Sequence, residues 1–570
     1  MVRFLKCGIL LILLTAVLHS PPLLAENAAF TKLGGQILTD LQAFDPVKAT
    51  QMGIHTYDAR LADYSSKSIR AQISRLKDHH KSLRRFNSSN LDSHELINFR
   101  LLESNLNIAL LDLDKIRWYE RSPQMYVDQA VDGVYSLVLS QHAPLSNRLF
   151  SIVERMKQVP ELLRTAQKNI KRAPAVYIET TRQSLEGGID FYQQVAGELM
   201  KQFPEEADNI LKHSTAAREA MTEFSAYLEG LERSDEHSFA IGKQNFDYML
   251  SHGHLLGFDS DSLLRIGENL LAEVQAEYVD YLDFVENNRQ NGQDSVFIPA
   301  TFTRQDVLDY YAWEVNQVRV FLEMNDIVTI PADIAPVDVV QTPPFLRAMI
   351  GGIAYQPAGP FDAVQKGYFY IRPIPDELDR AQLDARYRYV HRRGFRGSVV
   401  HEAFPGHHLQ MQLAGMSGDP VRKWQQNIML IEGWALYCEE MVYHAGLYGD
   451  NDPATWLNIL RGIRFRAARI IADVKLHTGQ FTYDECVDWM IRTLDIDTEA
   501  GKEYVRTEVR RYTLTPTVQM SYLMGKVLIE QLRDAMMQRD GDAYSDNEFH
   551  DALLGQGSIP LPLLREALGL

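Results

Sequence analysis

The sequence predicts a large, mainly α-helical protein with one small β element, and three observations support this fold class. The 570 residues have an ordinary globular composition, 45% hydrophobic and 23% charged. Prolines and glycines concentrate between Gln341 and Leu378, where Lys366–Arg372 alternates apolar and polar faces like a strand. Elsewhere apolar residues recur at the three- and four-residue spacing of helices, as in Leu96–Asn107, Leu145–Lys157, Ala216–Leu231 and Leu263–Asn287.

The first element, residues 1–25, has the order of a secretory signal peptide. Arg3 and Lys6 precede the apolar run Ile9–Leu18, and Ala25 is a small residue suited to cleavage. The run is shorter than the ~20 residues that a membrane span needs. We therefore expect cleavage after Ala25, a periplasmic or secreted location, and no stable membrane insertion of the mature protein.

The rest of the chain is predicted to form two halves of one body. Residues 26–340 form an N-terminal helical half, and residues 341–570 a C-terminal catalytic half with a metal site. The full chain carries 58 basic and 75 acidic residues, a net charge of −17, which becomes −19 without the signal peptide. This balance disfavours nucleic acid as a partner. Cys438 and Cys486 lie in apolar segments, which favours buried free thiols, although the sequence leaves a disulfide between them open.

A histidine-rich segment carries the clearest functional signal. Four of the 17 histidines fall within 18 residues, and His401-Glu402 begins like the zinc-protease motif H-E-x-x-H. Pro405 occupies the usual place of the second histidine. On a straight helix His408 shares a face with His401, but the two would be ~10.5 Å apart along the axis. Zinc–nitrogen bonds of ~2.0–2.1 Å cannot span that gap.

A helix break at Pro405-Gly406 removes this difficulty. Proline lacks the donor that continues a helix, and glycine tolerates unusual dihedral angles. If Ala403 to Gly406 bulge outward, His407 returns to the place of the second ligand. His408 is then a substrate-pocket residue, or the ligand itself if the bulge is one residue longer.

The third ligand is predicted on a later helix. Catalytic zinc commonly has three protein ligands and one open position. Glu432 lies beside an apolar stripe at helical spacing, 25 residues beyond His407, and can face an enclosed site. Glu439 lies two turns, ~10.5 Å, further along the same helix, so it is expected behind the ligands or facing substrate.

These motifs resemble a known family. His401-Glu402-Ala403-Phe404-Pro405-Gly406-His407-His408-Leu409-Gln410, with Glu432-Gly433-Trp434-Ala435, resembles the bacterial domain of unknown function 885, regarded as zincin-like and metallopeptidase-like. The resemblance covers most of the mature chain. More distantly, the sequence is similar to thimet oligopeptidase, Taq-type carboxypeptidase and angiotensin-converting enzyme, which have a regular H-E-x-x-H. It implies a two-halved, helical, zincin-like fold with a deep active-site cleft beside the β element.

Further site residues follow in the C-terminal half. Thr515-Pro516 predicts the start of a helix on which Tyr522 lies. The related peptidases place a tyrosine in a comparable helix, which makes Tyr522 the first candidate for stabilising an oxyanion and Tyr512 the second, or a substrate contact. Tyr368, on the predicted strand, can contact a peptide paired along the strand edge. Asp473 is either a carboxylate that orients a metal-bound histidine or part of a charged ladder with Arg469 and His477.

The functional hypothesis is an exported peptidase that acts on a peptide or small amide. Zn²⁺ is held by His401, His407 and Glu432, and Glu402 is the general base. Two alternatives remain open. One is a metal-dependent hydrolase of a non-peptide amide or ester, and the other is a non-catalytic exported binding protein with a relic motif. The sequence does not decide endo- or exopeptidase action, metal identity or oligomeric state.

Overall fold

The computed structural model describes residues 22–287, 303–343, 353–372, 374–375, 377–390, 396–449 and 453–570. Most of the predicted signal peptide, together with Cys7 and His391, lies outside these residues. The described residues are mainly helical with few strands, which confirms the predicted fold class at that level.

The N-terminal part of the chain is a succession of helices. Three helix starts within the described residues are capping boxes, in which side chain and backbone bond reciprocally at Asp92/Glu95, Thr303/Asp306 and Thr482/Glu485. The first twelve helices are α1 Pro22–Phe44, α2 Pro46–Gln51, α3 Ser66–Leu83, α4 Ser93–Leu110, α5 Trp118–Arg121, α6 Gln124–Leu139, α7 Leu145–Asn169, α8 Ala175–Gln202, α9 Ala207–Glu229, α10 Lys243–Tyr248, α11 Ser260–Asn287 and α12 Arg304–Met324.

A three-stranded sheet follows in the segment rich in proline and glycine. The chain first forms a short parallel pair, β1 Arg172–Ala173 with β2 Glu232–Arg233. The sheet then consists of β3 Val337–Gln341, β4 Ile353–Gln356 and β5 Gly367–Ile371. Strand β5 is central, parallel to β3 and antiparallel to β4. Among the described residues, the edge strands of this sheet are therefore β3 and β4.

The remaining helices carry most of the predicted site. They are α13 Arg380–Val390, α14 Arg396–Glu402, α15 His407–Gly415, α16 Pro420–Lys423, α17 Ile428–His444, α18 Pro453–His477, α19 Tyr483–Thr493, α20 Glu499–Tyr512, α21 Ser521–Asp540, α22 Asp546–Leu554 and α23 Leu561–Ala567. Helix α17 packs along α21, and α18 packs along α11.

The buried apolar side chains form two cores. One core draws on α1, α4, α12, α17 and α21, and the other on α6 to α9, α19 and α20. Both cores take residues from either side of residue 340, and the proposed division at that residue stays a prediction. Cys438 lies in the first core and Cys486 in the second, and both are buried free thiols, as expected. None of the helices in the described ranges combines the length and apolar character of a membrane span.

Candidate metal centre

The predicted helix break lies between His401 and His407. Helix α14 ends at Glu402, and α15 begins at His407 after a four-residue turn with a cis Phe404–Pro405 bond. The N–H of Gly406 donates to the carbonyl of Val400 at 3.0 Å, which folds the turn back onto α14. The helix break inferred from the sequence is therefore present, and its turn, Ala403 to Gly406, is buried.

The turn requires a glycine at position 406 and is tied to α17. A Cβ on Gly406 would lie 2.0 Å from the carbonyl oxygen of His401, a distance that no side chain tolerates. The indole N–H of Trp434 donates to the carbonyl of Pro405 at 2.8 Å. Because Trp434 is two residues from Glu432, this bond fixes the turn relative to the third predicted ligand.

The structure brings the three predicted ligands together. The Nε2 atoms of His401 and His407 lie 3.6 and 3.7 Å from one oxygen of Glu432, and ligand atoms of all three residues lie within 4.8 Å of one another. All three side chains are largely buried. Two imidazole nitrogens and a carboxylate oxygen are a donor set that suits Zn²⁺.

Charge balance at the site also fits a cation. Burial alone would raise the pKa of Glu432, but a hydrogen bond with His401 and nearby positive charges lower it to about 2. Burial and the charge of His401 lower the pKa of His407 to about 4. Without a metal, contacts with Glu432 and Glu439 outweigh burial and raise the pKa of His401 to about 10. A metal ligand must be a neutral imidazole, so an ion bound here would have to displace a proton from His401.

Glu439 lies behind His401. Its Oε1 is 2.9 Å from His401 Nδ1, and Arg466 donates to the same oxygen at 3.4 Å. A carboxylate on the far nitrogen of a ligand histidine fixes the tautomer and orients the ring. Of the two positions expected for Glu439, behind the ligands or facing substrate, the structure shows the one behind a proposed ligand.

Glu402 lies next to the three ligands without joining them. It accepts the backbone N–H of Tyr355, in the edge strand β4, at 3.1 Å. Burial raises the pKa of Glu402, with the charge of Glu432 adding to this effect. A carboxylate with a raised pKa, held beside a metal site, has the properties of a general base.

His408 does not have the role expected for it. Its Nε2 donates to the carbonyl of Ala335 at 2.8 Å, so its Nδ1 accepts from the hydroxyl of Tyr355 at 2.9 Å. The side chain is fully buried. With both nitrogens bonded, His408 has no group for a metal or a substrate. It supports Tyr355 and thereby the strand that contacts Glu402.

Tyr522 lies on the first turn of α21, close enough to Glu432 for the two side chains to interact electrostatically. Burial and the charge of Glu432 raise its pKa to about 12, against the positive charges of Arg469, Arg511 and Arg466. The guanidinium of Arg469 is 4.9 Å from the ring centroid of Tyr522. No hydrogen-bond partner for its hydroxyl is found among the described residues, so this group is available to a ligand.

Two glycines set the distance between α17 and α21, which sequence patterns did not indicate. A Cβ on Gly433 would lie 2.5 Å from the backbone of Gly525, and one on Gly525 would lie 2.0 Å from the carbonyl of Met429. The two backbones are therefore in direct contact. This contact brings Tyr522, three residues before Gly525, close to Glu432.

Tyr512 is fully buried in the second core rather than facing a cavity. Its hydroxyl accepts from Nε of Arg469 at 2.7 Å and donates to Glu508 at 3.1 Å. Tyr512 therefore does not present a hydroxyl to substrate, in contrast to the expectation. Because Arg469 lies over the rings of both tyrosines, Tyr512 supports the arginine beside Tyr522.

Asp473 fixes the start of α21 and does not touch a metal ligand. Its two oxygens accept the backbone N–H groups of Thr517 and Met520, each at 3.1 Å. Helix α21 consequently begins at Ser521, later than the Thr515-Pro516 pair predicted. Arg469, Asp473 and His477 are all buried. Of the expected charged ladder, Asp473 lies 3.9 Å from His477, whereas Arg469 pairs with Glu508.

Tyr368 lies on β5, the central strand of the sheet. Both edges of β5 are hydrogen-bonded to neighbouring strands, so a peptide cannot pair with it as expected. The Tyr368 ring stacks on Tyr370 with 5.9 Å between centroids. A contact between the Tyr368 side chain and substrate stays a prediction.

A cavity of about 1040 Å³ is lined by residues of α6, α8 and α20. Arg511 and Thr515 form one wall, and Asp128 and Asp132 of α6 form another. The proposed metal ligands do not line it. Arg511 links the two regions, because its charge acts on Tyr522.

Comparison with known proteins identifies a family without a known activity. The family described as "Bacterial protein of unknown function (DUF885)" matches residues 46–568, and no curated protein matches. The fold is similar to a "putative lipoprotein of unknown function" from Shewanella oneidensis, with a TM-score of 0.76 and 22% identity, covering 95% of this chain and 100% of that one. It is also similar to the "putative lipoprotein" from Colwellia psychrerythraea, with a TM-score of 0.78 and 18% identity, covering 95% and 99%. This chain belongs to the bacterial DUF885 family.

Proposed function

We propose that this protein is an exported zinc-dependent peptidase with Glu402 as general base. One observation carries the proposal. His401, His407 and Glu432, from three different helices, converge beside a buried glutamate that is held by an edge strand. Zinc bound there would polarise a carbonyl and lower the pKa of a water molecule.

The side chains around this point have complementary roles. Glu402 takes the proton of the attacking water and passes it to the leaving amine. The hydroxyl of Tyr522, protonated at neutral pH because its pKa is raised to about 12, donates to the oxyanion that develops on the carbonyl. Glu439 and Arg466 hold His401 in orientation throughout.

The position of β4 favours a peptide over a small amide. This strand is at the sheet edge, and its Tyr355 N–H bonds to Glu402. An extended chain added to β4 would therefore pass the general base. The zincin-like fold and a substrate cleft beside the three ligands are part of the proposal.

Export rests on two independent supports. Residues 1–25 have the pattern of a signal peptide. The two similar solved structures are described as lipoproteins, a class of exported protein.

The deciding experiment is the substitution Glu402→Gln. The amide keeps the size of the side chain and cannot accept the proton, so turnover of a quenched fluorescent peptide library should fall by about 10²–10⁴-fold. Zinc content, measured by elemental analysis, should equal that of the wild type. The exposed Glu499→Gln is the matched control and should retain activity. Wild-type turnover in Glu402→Gln would contradict the mechanism.

A second variant tests the ligand set. His407→Ala should lose the zinc bound at this centre and the activity together, since it removes one of three ligands. A wild-type protein that hydrolyses only esters or non-peptide amides in a substrate panel would replace the peptidase proposal with the corresponding hydrolase.

A further inference from the structure

A second group of potential metal ligands lies apart from the His401 centre. His55, Asp58 and His142 offer ligand atoms within 4.8 Å of one another. One oxygen of Asp58, Oδ2, is common to both histidines, at 2.9 Å from His55 Nδ1 and 3.8 Å from His142 Nε2. The group joins the segment after α2 to the loop between α6 and α7.

Each of these three side chains also has a hydrogen-bond partner at the atom that faces away from the group. His55 Nε2 lies 2.8 Å from Oδ1 of Asp362, in the loop between β4 and β5. Thr50 donates to the other oxygen of Asp58 at 2.6 Å, and Ser140 Oγ lies 2.7 Å from His142 Nδ1. Such outer partners fix the tautomers and orientations of metal ligands.

We propose that His55, Asp58 and His142 form a second, structural site for a divalent ion of the zinc class. Two imidazoles and a carboxylate are the ligand types that such an ion prefers. With Asp58 and Asp362 facing two histidines, a cation is also favoured electrostatically. The side chains of both histidines are about one-fifth exposed, so an ion can enter from solvent.

Binding requires a small rearrangement of side chains. The two imidazole rings are stacked, with 3.4 Å between centroids and 16° between planes. Their nitrogen lone pairs therefore lie in nearly parallel planes and do not point at one common position. In a tetrahedral zinc site the ligand atoms are about 3.4 Å apart, which follows from bonds of ~2.0–2.1 Å. Closing the gap requires rotation of the His142 ring about χ2, a soft torsion, and this rotation exchanges the contact with Ser140 for a bond to the ion.

The site would connect the N-terminal helices to the sheet. Asp362 is held against the segment after α2, where Phe361 N–H donates to the carbonyl of Met52 at 2.9 Å. Backbone contact is close, because a Cβ on Gly53 would lie 2.4 Å from the nitrogen of Asp362. An ion bound here would therefore stabilise the loop that follows β4.

The test uses the double variant His401→Ala/His407→Ala, which removes the other centre. Titrated with zinc against a chromophoric chelator, it should bind one equivalent and unfold at a higher temperature with zinc than without it. Adding His142→Ala should abolish both effects. The matched control is His94→Ala, which removes an exposed histidine that pairs with a single carboxylate, Asp419, and should change neither.

Variants of the outer partners separate a metal site from a simple ion pair. Asp362→Asn in the same background should weaken zinc binding about 10–100-fold while the protein stays folded by circular dichroism. Asp58→Asn offers a second route if His142→Ala does not fold. Absence of zinc binding by the double variant, or binding that survives both His142→Ala and Asp58→Asn, would overturn the proposal.

The outcomes for the two centres are distinguishable. If the His401 centre binds no metal, the wild type should hold one equivalent that survives His407→Ala and is lost in His142→Ala. If the second site does not exist, His407→Ala alone should remove all bound zinc.

Discussion

Tyr522 is a single side chain whose position links burial, charge and the proposed chemistry. The charge of Glu432 adds to burial in raising its pKa, and the guanidinium groups of Arg466 and Arg469 lie 5.8 and 4.9 Å from its ring centroid. Tyr522→Phe removes only the hydroxyl donor, so kcat should fall about 10²–10³-fold, the usual loss for one oxyanion donor, with KM nearly unchanged. Steady-state kinetics on the best peptide substrate measure the effects on kcat and KM separately.

Tyr512 is the appropriate comparison for that variant. Its hydroxyl is bonded to Arg469 and Glu508 within the core, so Tyr512→Phe should lower stability more than the chemical rate. If Tyr512→Phe lost kcat and Tyr522→Phe did not, the oxyanion role would move to Tyr512.

Asp132, in the large cavity, gives a pH prediction. Burial, with the charge of Asp128 adding, raises its pKa to about 7, whereas an unfolded aspartate has a pKa of about 3.9. The folded state holds the extra proton between these values, so this group makes the free energy of unfolding fall as the pH rises from about 4 to 7. Above pH 7 the full penalty of the buried charge is present.

Asp132→Asn removes that penalty. The variant should be more stable than the wild type at pH 8, by on the order of 2 kcal/mol after allowance for solvent screening, and the advantage should vanish near pH 4. Urea unfolding at both pH values measures the difference. The exposed Asp190→Asn should change stability by less than about 0.5 kcal/mol. An Asp132→Asn protein that is equally stable at pH 8 would refute the prediction.

At the residue scale, the sequence indicates the proposed metal ligands better than it indicates the residues that hydrogen-bond around them. His401, His407 and Glu432 could be proposed as ligands, with His408 as the alternative to His407, because zinc geometry leaves few ways to place two histidine ligands around Pro405-Gly406. The position of His408 could not be assigned. It depends on a carbonyl 73 residues away and a hydroxyl 53 residues away, and neither contact has a local sequence pattern.

Among the helices, the crossing of α17 and α21 controls the geometry of the site. Gly525→Ala would place a methyl group 2.0 Å from the carbonyl of Met429. The helices must then separate, so we expect a loss of stability of about 3 kcal/mol or more and a lower kcat, because Tyr522 moves away from Glu432. Thermal unfolding and peptide turnover of the same preparation measure both effects.

Gly197, on α8, is a matched control for this substitution. It also lies in a helix, but a Cβ there meets no atom within 4 Å. Gly197→Ala should therefore stabilise the protein by about 0.5–1 kcal/mol through helix propensity alone. Equal effects of the two substitutions would mean that the Gly433–Gly525 contact does not hold the helices together.

Helix existence was predictable where the apolar spacing is regular, as in α7 and α11. Helix starts and strand order were less so. The start of α21 is displaced because buried Asp473 accepts N–H groups from Thr517 and Met520, a contact 44 to 47 residues apart. Likewise, the alternation of apolar and polar residues identified β5 as a strand. Its central position depends on β3 and β4, which pair with it on either side.

For the whole molecule, α18 connects the two cores. Its residues Leu460, Ile470 and Val474 belong to the first core, and Ala468, Ala472 and Leu476 belong to the second. One helix thus has an apolar face in each core. Neither core is complete without residues from both sides of residue 340.

This arrangement predicts one cooperative unfolding transition. Loss of either core removes the partner of one face of α18, so the other core should open with it. Urea unfolding followed by tryptophan fluorescence and by far-ultraviolet circular dichroism should give the same midpoint. Chains that end at residue 340 or begin at residue 341 should lack a cooperative transition, because each would expose apolar faces of both cores. Two separated transitions in the full chain, or a folded 341–570 chain, would instead mean that the halves are independent domains.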